Sequence, residues 1–516
     1  MKIMRSGITF GIIAGFLTFL FGGWSVAIIG SLMGVGLGMG LGSGLERKDP
    51  FKIAKDVLPT ALTAGGILTI LSLYQNSFVQ DAIGKQPAQL NVVIFGNLIG
   101  FLGAVLFTTL LAGLHGLPEK EELKWKMVLL AALVIAFPFI DKLTALRWTS
   151  QIIFALIFVI LGLGLNIVVG YAGLLDLGYA AFFAIGAYTT GMLSSPAHGI
   201  HINFWIVIWI AAGMAAIWGF MLGAPTLPLR GDYLAIVTLG FGEIVPVLFR
   251  NLIDITIKEP LTCWILPMFR INTSCIILVE NYDLTLGEKG ISPIGRPSLP
   301  LIGQFESSNP ITWYFLIIAI ILLSVFVIRR LRDSRLGRSW MAIREDELAA
   351  AQMGINPVKT KLAAFALGAT FSGFAGAFYA AYVSGIFPSV FEFSTSIIIL
   401  CVVILGGIGN INGVIVGGLV LMTADRLFLP ALKDFLASLL THTVLPSISD
   451  PVIQLAVKDN TNPILYRFLL FGLTLVIMMA VRPEGMIPNA QVRAELHPDD
   501  EPVIIEAETP MTKKAK

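Results

Sequence analysis

Hydrophobic residues follow one another along this chain in long runs that contain few charged residues. A helix of about 20 apolar residues crosses the roughly 30 Å hydrocarbon layer of a bilayer, whereas a spanning strand needs only about 10. Backbone polar groups find no water in lipid, so only helices and closed barrels can cross it. Because the runs have the length of helices, the pattern predicts an all-α integral membrane protein.

The runs predict a polytopic bundle of roughly 12 to 13 transmembrane helices. They cover residues 7–22, 24–41, 57–74, 92–114, 127–140, 152–171, 178–195, 204–222, 233–249, 311–328, 362–384, 397–422 and 464–481. The run at 397–422 is interrupted by Gly406, Gly407 and Gly409. We expect this segment to enter the membrane and return as two half-length pieces, because glycine tolerates the sharp reversal.

The orientation follows from the loops between the runs. Loops 46–56, 119–126 and 329–361 are rich in Lys and Arg, while loops 196–201 and 385–394 contain neither. Positive charge stays on the cytoplasmic side of a membrane. Each span carries the chain to the opposite side of the membrane, except that the segment 397–422 enters and returns. Counted in this way, all three basic loops and both termini lie on the cytoplasmic side. The predicted protein is therefore multi-pass, with both termini in the cytoplasm.

The composition of this 516-residue chain argues against a soluble multidomain protein and against an enzyme. Hydrophobic residues make up 56% and charged residues 13%, and the mean hydropathy is +0.83, so the length does not indicate several soluble domains. The chain has no G-x-x-x-x-G-K-[ST] phosphate loop, so ATP hydrolysis must come from another chain. The five histidines are scattered. We expect no catalytic site, metal, bound cofactor or nucleic-acid partner.

Three regions differ in composition. Residues 1–147 form a glycine-rich N-terminal membrane extension of about five spans, in which we find no distinctive motif. Residues 148–487 hold all the distinctive motifs and are predicted to form the functional core. Residues 488–516 form a polar tail, whose end is expected to be disordered. Lys2 and Arg5 precede the first run without a clear cleavage site after it, so we predict an uncleaved first helix.

The placement of two of the three cysteines is informative. Cys263 and Cys275 lie in the long loop 251–310, which the topology puts outside the cell, where disulfides persist. A Cys263–Cys275 bridge and two free thiols are both compatible with the spacing.

The first motif is LGLGLNIVVGYAGLLDLGYAAFFAIGAY, residues 161–188. Glycines this frequent in apolar helices either bring backbones close together or allow a break whose freed carbonyls line a cavity. The buried amide of Asn166 must find a partner, which is either a neighbouring helix or a substrate.

The second motif is RGDYLAIVTLGFGEI, residues 230–244. Glu243 lies about 16 Å along the helix from Asp232, near mid-bilayer, where an unpaired carboxylate costs at least about 2.5 kcal/mol. Such a residue either belongs to a permeation path or gate, or is a structurally paired or protonated carboxyl.

A small-residue stripe follows the arginine-rich loop. Gly368, Ser372, Gly376 and Ala380 recur every four residues, with further small residues beside them. One helix face is therefore nearly flat, and we expect another helix to pack closely against it.

The loop at residues 329–361, called the coupling loop below, is rich in arginine. The arginines alone could anchor a helix end to anionic headgroups, at about 1 kcal/mol each. The following residues 341–353 predict a short helix, with acidic residues early and a stop at Gly354. A short helix held by two transmembrane helices is what a membrane domain needs if a soluble motor is to move it.

In their order, these motifs, with VVILGGIGNINGVIVGG and VRPEGMIP near the end of the core, resemble the LivM-type permease subunit of branched-chain amino acid ABC importers. The resemblance covers about residues 161–488. It implies a LivH-like partner permease, two cytoplasmic ATPase subunits that use ATP, an external solute-binding protein and a location in the inner membrane of a bacterial cell. The mechanism we expect is alternating access. The outer-loop residues 286–291 depart from the pattern of the family.

The resemblance and the motifs together give two sets of candidate site residues. The substrate pathway is predicted to include Asn166, Tyr179, Thr238, Glu243, Gly406 and Gly407. Coupling to the ATPase is predicted to involve Arg344, Glu345, Asp346, Glu347, Ala350 and Gly354. The expected cargo is a branched-chain or other neutral amino acid. A related importer of urea or short amides, and a stand-alone carrier or channel, remain as alternatives.

Overall fold

The computed structural model describes residues 119–144, 148–226, 232–253, 255–258, 277–299, 303–306, 308–430, 433, 462–482 and 484–487. The first four predicted spans, Cys263, Cys275 and the predicted tail at 488–516 lie outside these residues.

Helices dominate the described part of the chain. They are α1 (Glu119–Thr144), α2 (Trp148–Leu165), α3 (Tyr179–Ser194), α4 (Phe204–Thr226), α5 (Asp232–Asn251), α6 (Pro310–Arg332), α7 (Arg335–Glu345), α8 (Glu347–Gln352), α9 (Pro357–Val383), α10 (Phe393–Gly406), α11 (Ile411–Thr423) and α12 (Arg467–Val481). The strands are β1 (Ile255–Lys258), β2 (Ile277–Tyr282), β3 (Ser298–Leu299) and β4 (Gly303–Gln304). They form two antiparallel pairs, β1 with β2 and β3 with β4.

Seven helices among the described residues are long and apolar enough to cross a membrane. They cover Trp148–Tyr171, Phe204–Ala224, Tyr233–Asn251, Pro310–Arg332, Pro357–Val383, Ile411–Phe428 and Pro463–Val481. The predicted all-α polytopic fold is confirmed. The predicted basic loop at 119–126 is not a loop, because its residues form the first turns of α1.

The described residues fall into two compact units. The first lies within Met1–Ala155, Ser308–Phe315 and Val420–Leu470. In it the Tyr314 hydroxyl donates to the Val134 carbonyl at 3.0 Å, and the Arg426 guanidinium lies 4.8 Å from the centre of the Phe154 ring. The second lies within Leu156–Ser307, Leu316–Leu419 and Phe471–Lys516 and contains the predicted site residues that the structure describes.

Helix α9 forms the centre of the second unit, where it packs against α3 and α4. The predicted flat face is the reason for this packing. A Cβ atom on Gly373 would lie 2.7 Å from the Ala212 Cα of α4, and one on Gly186 of α3 would lie 2.6 Å from the Gly373 Cα. No larger residue fits at these crossings, because backbone meets backbone there.

Helices α10 and α11 form a hairpin that turns at the predicted glycine break. Gly407 has φ +118° and Gly409 φ +81°, a backbone conformation that glycine adopts without strain. The predicted return of the chain is confirmed, but the two limbs are unequal. The first limb, α10, has 14 residues. The second limb continues from α11 into a π-helical turn (Ala424–Phe428), so Ile411–Phe428 has 18 residues and is long enough to cross a membrane. The prediction of two half-length pieces was therefore wrong for the second limb.

The coupling loop contains two short helices, α7 and α8, where the sequence predicted one at residues 341–353. The break falls at Asp346, whose extended backbone (φ −154°, ψ 112°) ends α7 and whose carboxylate accepts the N–H groups of Leu348 and Ala349. Aspartate is favoured at this capping position because its oxygen satisfies N–H groups that have no partner inside the helix. The capping residue therefore divides the predicted helix.

Candidate functional site

Helix α5 exposes one side along most of its length. Its exposed residues include Tyr233, Ile236, Ile244 and Val247, which are 70%, 62%, 63% and 49% exposed. Glu243 is also exposed and lies among them. The sequence placed Glu243 near mid-bilayer, and the structure adds that its carboxylate lies on the exposed side of the helix.

Thr238 lies on the opposite side of α5, where it is fully buried. Its hydroxyl oxygen accepts the Leu177 N–H at 3.1 Å, and the hydroxyl donates to the Ala235 carbonyl at 3.1 Å. Close by, a Cβ atom on Gly242 would lie 2.8 Å from the Gly178 Cα. Thr238 therefore attaches α5 to the chain segment that precedes α3.

That segment, residues 172–178, is called the linking segment below, because it is not helical although it joins α2 to α3. Gly173 and Leu175 are exposed, whereas Leu174 between them and Asp176 after them are buried. Asp176 Oδ1 accepts the Gly178 N–H at 2.9 Å. Non-helical backbone is tolerated within a membrane only where protein covers it or where it lines a water-filled cavity.

Asn166 and Tyr179 have structural partners within the second unit. Asn166 is fully buried in a π-helical turn (Asn166–Tyr171) at the end of α2, and its Oδ1 accepts the Gly409 N–H at 2.8 Å. The buried Tyr179 hydroxyl donates to the Gly368 carbonyl at 2.7 Å. For Asn166, one of the two partners that the sequence left open, a neighbouring helical hairpin, is present in the structure.

Gly406 and Gly407 lie at the buried tip of the α10–α11 hairpin. A Cβ atom on Gly406 would lie only 2.6 Å from the carbonyl carbon of Gly413, and one on Gly407 would lie 2.5 Å from the Ile487 oxygen. Both glycines are thus required by close packing. The predicted pathway residues therefore do not form one cluster, since Glu243 is exposed on α5 and the others are buried between elements.

Side chains of the coupling loop hold it against the transmembrane helices. Lys361 Nζ of α9 lies 2.7 Å from Glu347 Oε1, and the lysine side chain is only 7% exposed. The Trp340 ring N–H donates to the Thr360 carbonyl at 2.8 Å. Arg344 Nη1 donates to the Gly170 carbonyl in the π-helical turn at 2.5 Å. The loop is therefore held by α9 and by the end of α2.

The six predicted coupling residues divide between this inner face and the exposed face. Arg344 and Glu347 make the inward contacts, Ala350 is buried, and Asp346 caps α8. Glu345 and Gly354 are exposed, and Gly354 has φ +86°, which suits a stop after a helix.

Two exposed apolar residues of the coupling loop were missed from the sequence. Leu348 is 61% exposed and Met353 is 84% exposed. Both follow the acidic residues Glu345, Asp346 and Glu347 in the chain. Together they add apolar area to the exposed face of the coupling loop.

An ionic cluster on the other end of α5 was also missed. The Arg250 guanidinium lies 3.1 Å from Glu288 Oε1 and 2.6 Å from Glu392 Oε1. It joins α5 to the segment 286–291 and to the beginning of α10. These three residues are far apart in the chain, so spacing alone could not have paired them. Within the described ranges, no group of His, Cys, Asp and Glu is arranged to hold a metal ion.

Comparison with known proteins gives a family match over most of the chain. Residues 149–478 match the family described as "Branched-chain amino acid transport system / permease component". The chain is 35% identical over 401 residues to the high-affinity branched-chain amino acid transport system permease protein LivM of Escherichia coli K12, covering 73% of this chain and 78% of the relative.

Two more distant relatives extend the comparison. The probable branched-chain amino acid transport permease protein LivM of Methanocaldococcus jannaschii is 24% identical over 376 residues, with 65% of this chain and 92% of the relative covered. The high-affinity permease protein LivH of Escherichia coli K12 is 29% identical over 163 residues, which cover 29% of this chain and 50% of the relative. No solved structure matches the chain.

Proposed function

The chain belongs to the family of permease components of branched-chain amino acid transport systems, and from this premise we propose that it carries branched-chain or other neutral amino acids inward as one permease subunit of an ABC importer. The importer lies in the bacterial inner membrane, with both termini of this chain in the cytoplasm. Transport proceeds by alternating access between outward-open and inward-open states.

The observation that carries the proposal is the exposed carboxylate of Glu243 on an otherwise apolar helix face. Helix α4 provides the contrast, because its exposed residues Ile206, Trp209, Ile217 and Phe220 are all apolar and suit contact with lipid. A carboxylate facing lipid costs at least about 2.5 kcal/mol, so the Glu243 side of α5 faces protein or a water-filled path instead.

The linking segment lies on the opposite side of α5 from Glu243. Its residues Leu177 and Gly178 contact Thr238 and Gly242 of α5. A substrate path along the exposed side of α5 therefore keeps Glu243 away from lipid, while the linking segment supports α5 from its buried side.

The partner across this path is a LivH-like permease subunit. Two related permeases can enclose a path that neither lines alone, and the partial match to LivH is consistent with a shared fold core. We also propose two cytoplasmic ATPase subunits, which contact the exposed face of the coupling loop at Leu348 and Met353. An external solute-binding protein delivers the substrate.

Uptake of labelled leucine by the reconstituted complex tests this proposal. The permease pair, the ATPases and the binding protein are placed in liposomes, and uptake is measured with and without ATP while any proton gradient is dissipated. ATP-dependent leucine uptake is expected. Uptake of urea instead of leucine would reassign the substrate, and uptake without ATP would refute the importer assignment.

A further inference from the structure

Arg344 contacts two consecutive parts of the chain at the end of α2. Its guanidinium binds the Gly170 carbonyl. A Cβ atom on Gly173 would lie 2.7 Å from the Arg344 Cγ and 3.2 Å from its Cβ, so the linking segment begins directly against the arginine side chain. Gly173 has φ +69°, which also favours glycine. A movement of Arg344 must therefore move the end of the π-helical turn, the start of the linking segment, or both.

The other end of the linking segment is attached to α5. The Leu177 N–H donates to Thr238 Oγ1, and Gly178 packs against Gly242. Gly242 is the residue before Glu243 in the chain. Contacts therefore run without interruption from α7 of the coupling loop, through the linking segment, to the part of α5 that carries the exposed carboxylate.

A π-helical turn (Asn166–Tyr171) directly precedes the linking segment. At its end the Ala172 N–H donates to the Ile167 carbonyl, five residues earlier, at 3.2 Å. Returning to α-helical bonding shifts the partner by one residue and moves the following chain by about 1.5 Å along the axis. The Gly170 carbonyl lies at the negative end of this helix, where a cation is favoured and where a helix leaves carbonyls without internal partners.

We infer that Arg344 is a positioning residue that transmits movement of the coupling loop through the Gly170–Gly173 backbone and the linking segment to α5. This inference rests on the proposed function, in which an ATPase moves the coupling loop. The contacts of Lys361 with Glu347 and of Trp340 with Thr360 have a different role, because they join the loop to the closely packed α9.

Arg344→Ala tests the inference in the complete complex in liposomes. ATP hydrolysis and leucine uptake are measured on the same preparation. ATP hydrolysis is expected to stay within about twofold of the wild type while uptake per ATP falls about tenfold, because an energetic coupling and not a reacting group is lost. Arg344→Lys is expected to restore part of the ratio, because the ammonium keeps the charge at the helix end.

Arg338→Ala is the matched control. Arg338 lies on the same helix, is exposed, and donates to the Asp333 carbonyl of its own segment at 2.8 Å. Uptake per ATP should be unchanged in this variant. An unchanged ratio in Arg344→Ala, or an equal loss in Arg338→Ala, would overturn the inference. Loss of complex assembly in both Arg344 variants would assign the residue a purely structural role and would also overturn it.

A spectroscopic measurement separates this inference from the proposed function. A spin label at Leu175→Cys, in a chain whose native cysteines are replaced by alanine, reports on the linking segment. Trapping the ATPases with ATP and vanadate should change the mobility of the label, and Arg344→Ala should abolish that change. If the wild-type complex takes up no leucine, the proposed substrate fails, but a label response that depends on Arg344 still supports transmission. A response that persists in Arg344→Ala refutes transmission even when uptake is normal.

Discussion

Helices α9 and α5 are both long and largely apolar and both contain glycines, but they lie in different environments. In α9 nearly every residue from Gly368 to Ala381 is buried, and Gly373 and Gly376 meet the backbones of α4 and α3. In α5 Gly240 has no atom within 4 Å of the position of a Cβ, and Glu243 beside it is exposed.

The difference shows that the effect of a glycine or a charged residue depends on whether its position is buried or exposed. A glycine of α9 allows two helices to approach, whereas Gly240 of α5 leaves an open surface. The charged Lys361 of α9 is paired with Glu347. Glu243 of α5, by contrast, is exposed on the surface of the chain. We therefore expect changes in α9 to affect stability and changes on the exposed side of α5 to affect transport.

Glycine substitutions should separate the two helices most strongly. Gly373→Val would place side-chain atoms against the Ala212 Cα and the Ala211 carbonyl, where no flexible side chain can give way. We expect a loss of more than about 3 kcal/mol in stability and failure to yield a monodisperse protein in detergent. Thermal unfolding and size-exclusion chromatography measure the effect.

Gly240→Ala is the matched control for Gly373→Val. Nothing obstructs its Cβ, so stability should be unchanged or raised by about 0.5 to 1 kcal/mol through higher helix propensity. Equal destabilisation by the two substitutions would contradict the comparison.

Breaking the ion pair of α9 should have the next largest effect. Glu347→Gln leaves the Lys361 ammonium, which is only 7% exposed, without its counter-charge. The expected loss is about 2 to 4 kcal/mol, measured as a lower midpoint of thermal unfolding.

The double variant Glu347→Gln/Lys361→Met is the control for that pair. It removes both charges and should recover most of the lost stability. No recovery would mean that Glu347 acts through another contact, and the contrast between a structural charge on α9 and a functional charge on α5 would weaken.

Glu243→Gln should reduce transport and leave stability unchanged. The amide has the same shape, so unfolding should stay within about 0.5 kcal/mol of the wild type, whereas ATP-driven leucine uptake should fall about tenfold, equivalent to about 1.4 kcal/mol. Glu121→Gln, an exposed carboxylate on α1 that belongs to neither set of candidate site residues, is a control for loss of charge alone. Unchanged uptake kinetics in Glu243→Gln would make this residue part of the scaffold.

Tyr179→Phe should have the smallest effect. It removes the hydroxyl that donates to the Gly368 carbonyl of α9 and should cost about 1 kcal/mol of stability. Uptake should stay at the wild-type level, because this tyrosine is fully buried. A large loss of uptake with normal stability would return Tyr179 to the substrate pathway.

Local patterns in the sequence predicted much of this architecture. The stripe of Gly368, Ser372 and Gly376 predicted the close packing of α9, and the glycines at 406–409 predicted the turn of the hairpin. These features could be predicted because helical periodicity and the conformational freedom of glycine act over a few residues. Asp346 also carried a local indication, since aspartate favours the position that caps a helix.

Other features depend on contacts between distant parts of the chain. Both sides of α5 are largely apolar, so periodicity could not show that Glu243 lies on the exposed one. The contact of Arg344 with Gly170 joins residues that are far apart in the sequence. For the same reason the coupling residues could be recognised as a group, but their division into inward and exposed faces required the structure.

The α10–α11 hairpin has a consequence for the order of events during biosynthesis. The Met486 and Ile487 N–H groups donate to the Leu405 and Gly406 carbonyls at 2.9 and 3.1 Å, and the Asn410 amide donates to the Ile487 carbonyl. The carbonyls at the end of α10 therefore obtain these partners only after the ribosome has made α12 and the residues that follow it. The turn is therefore incomplete until the chain has been synthesised as far as Ile487.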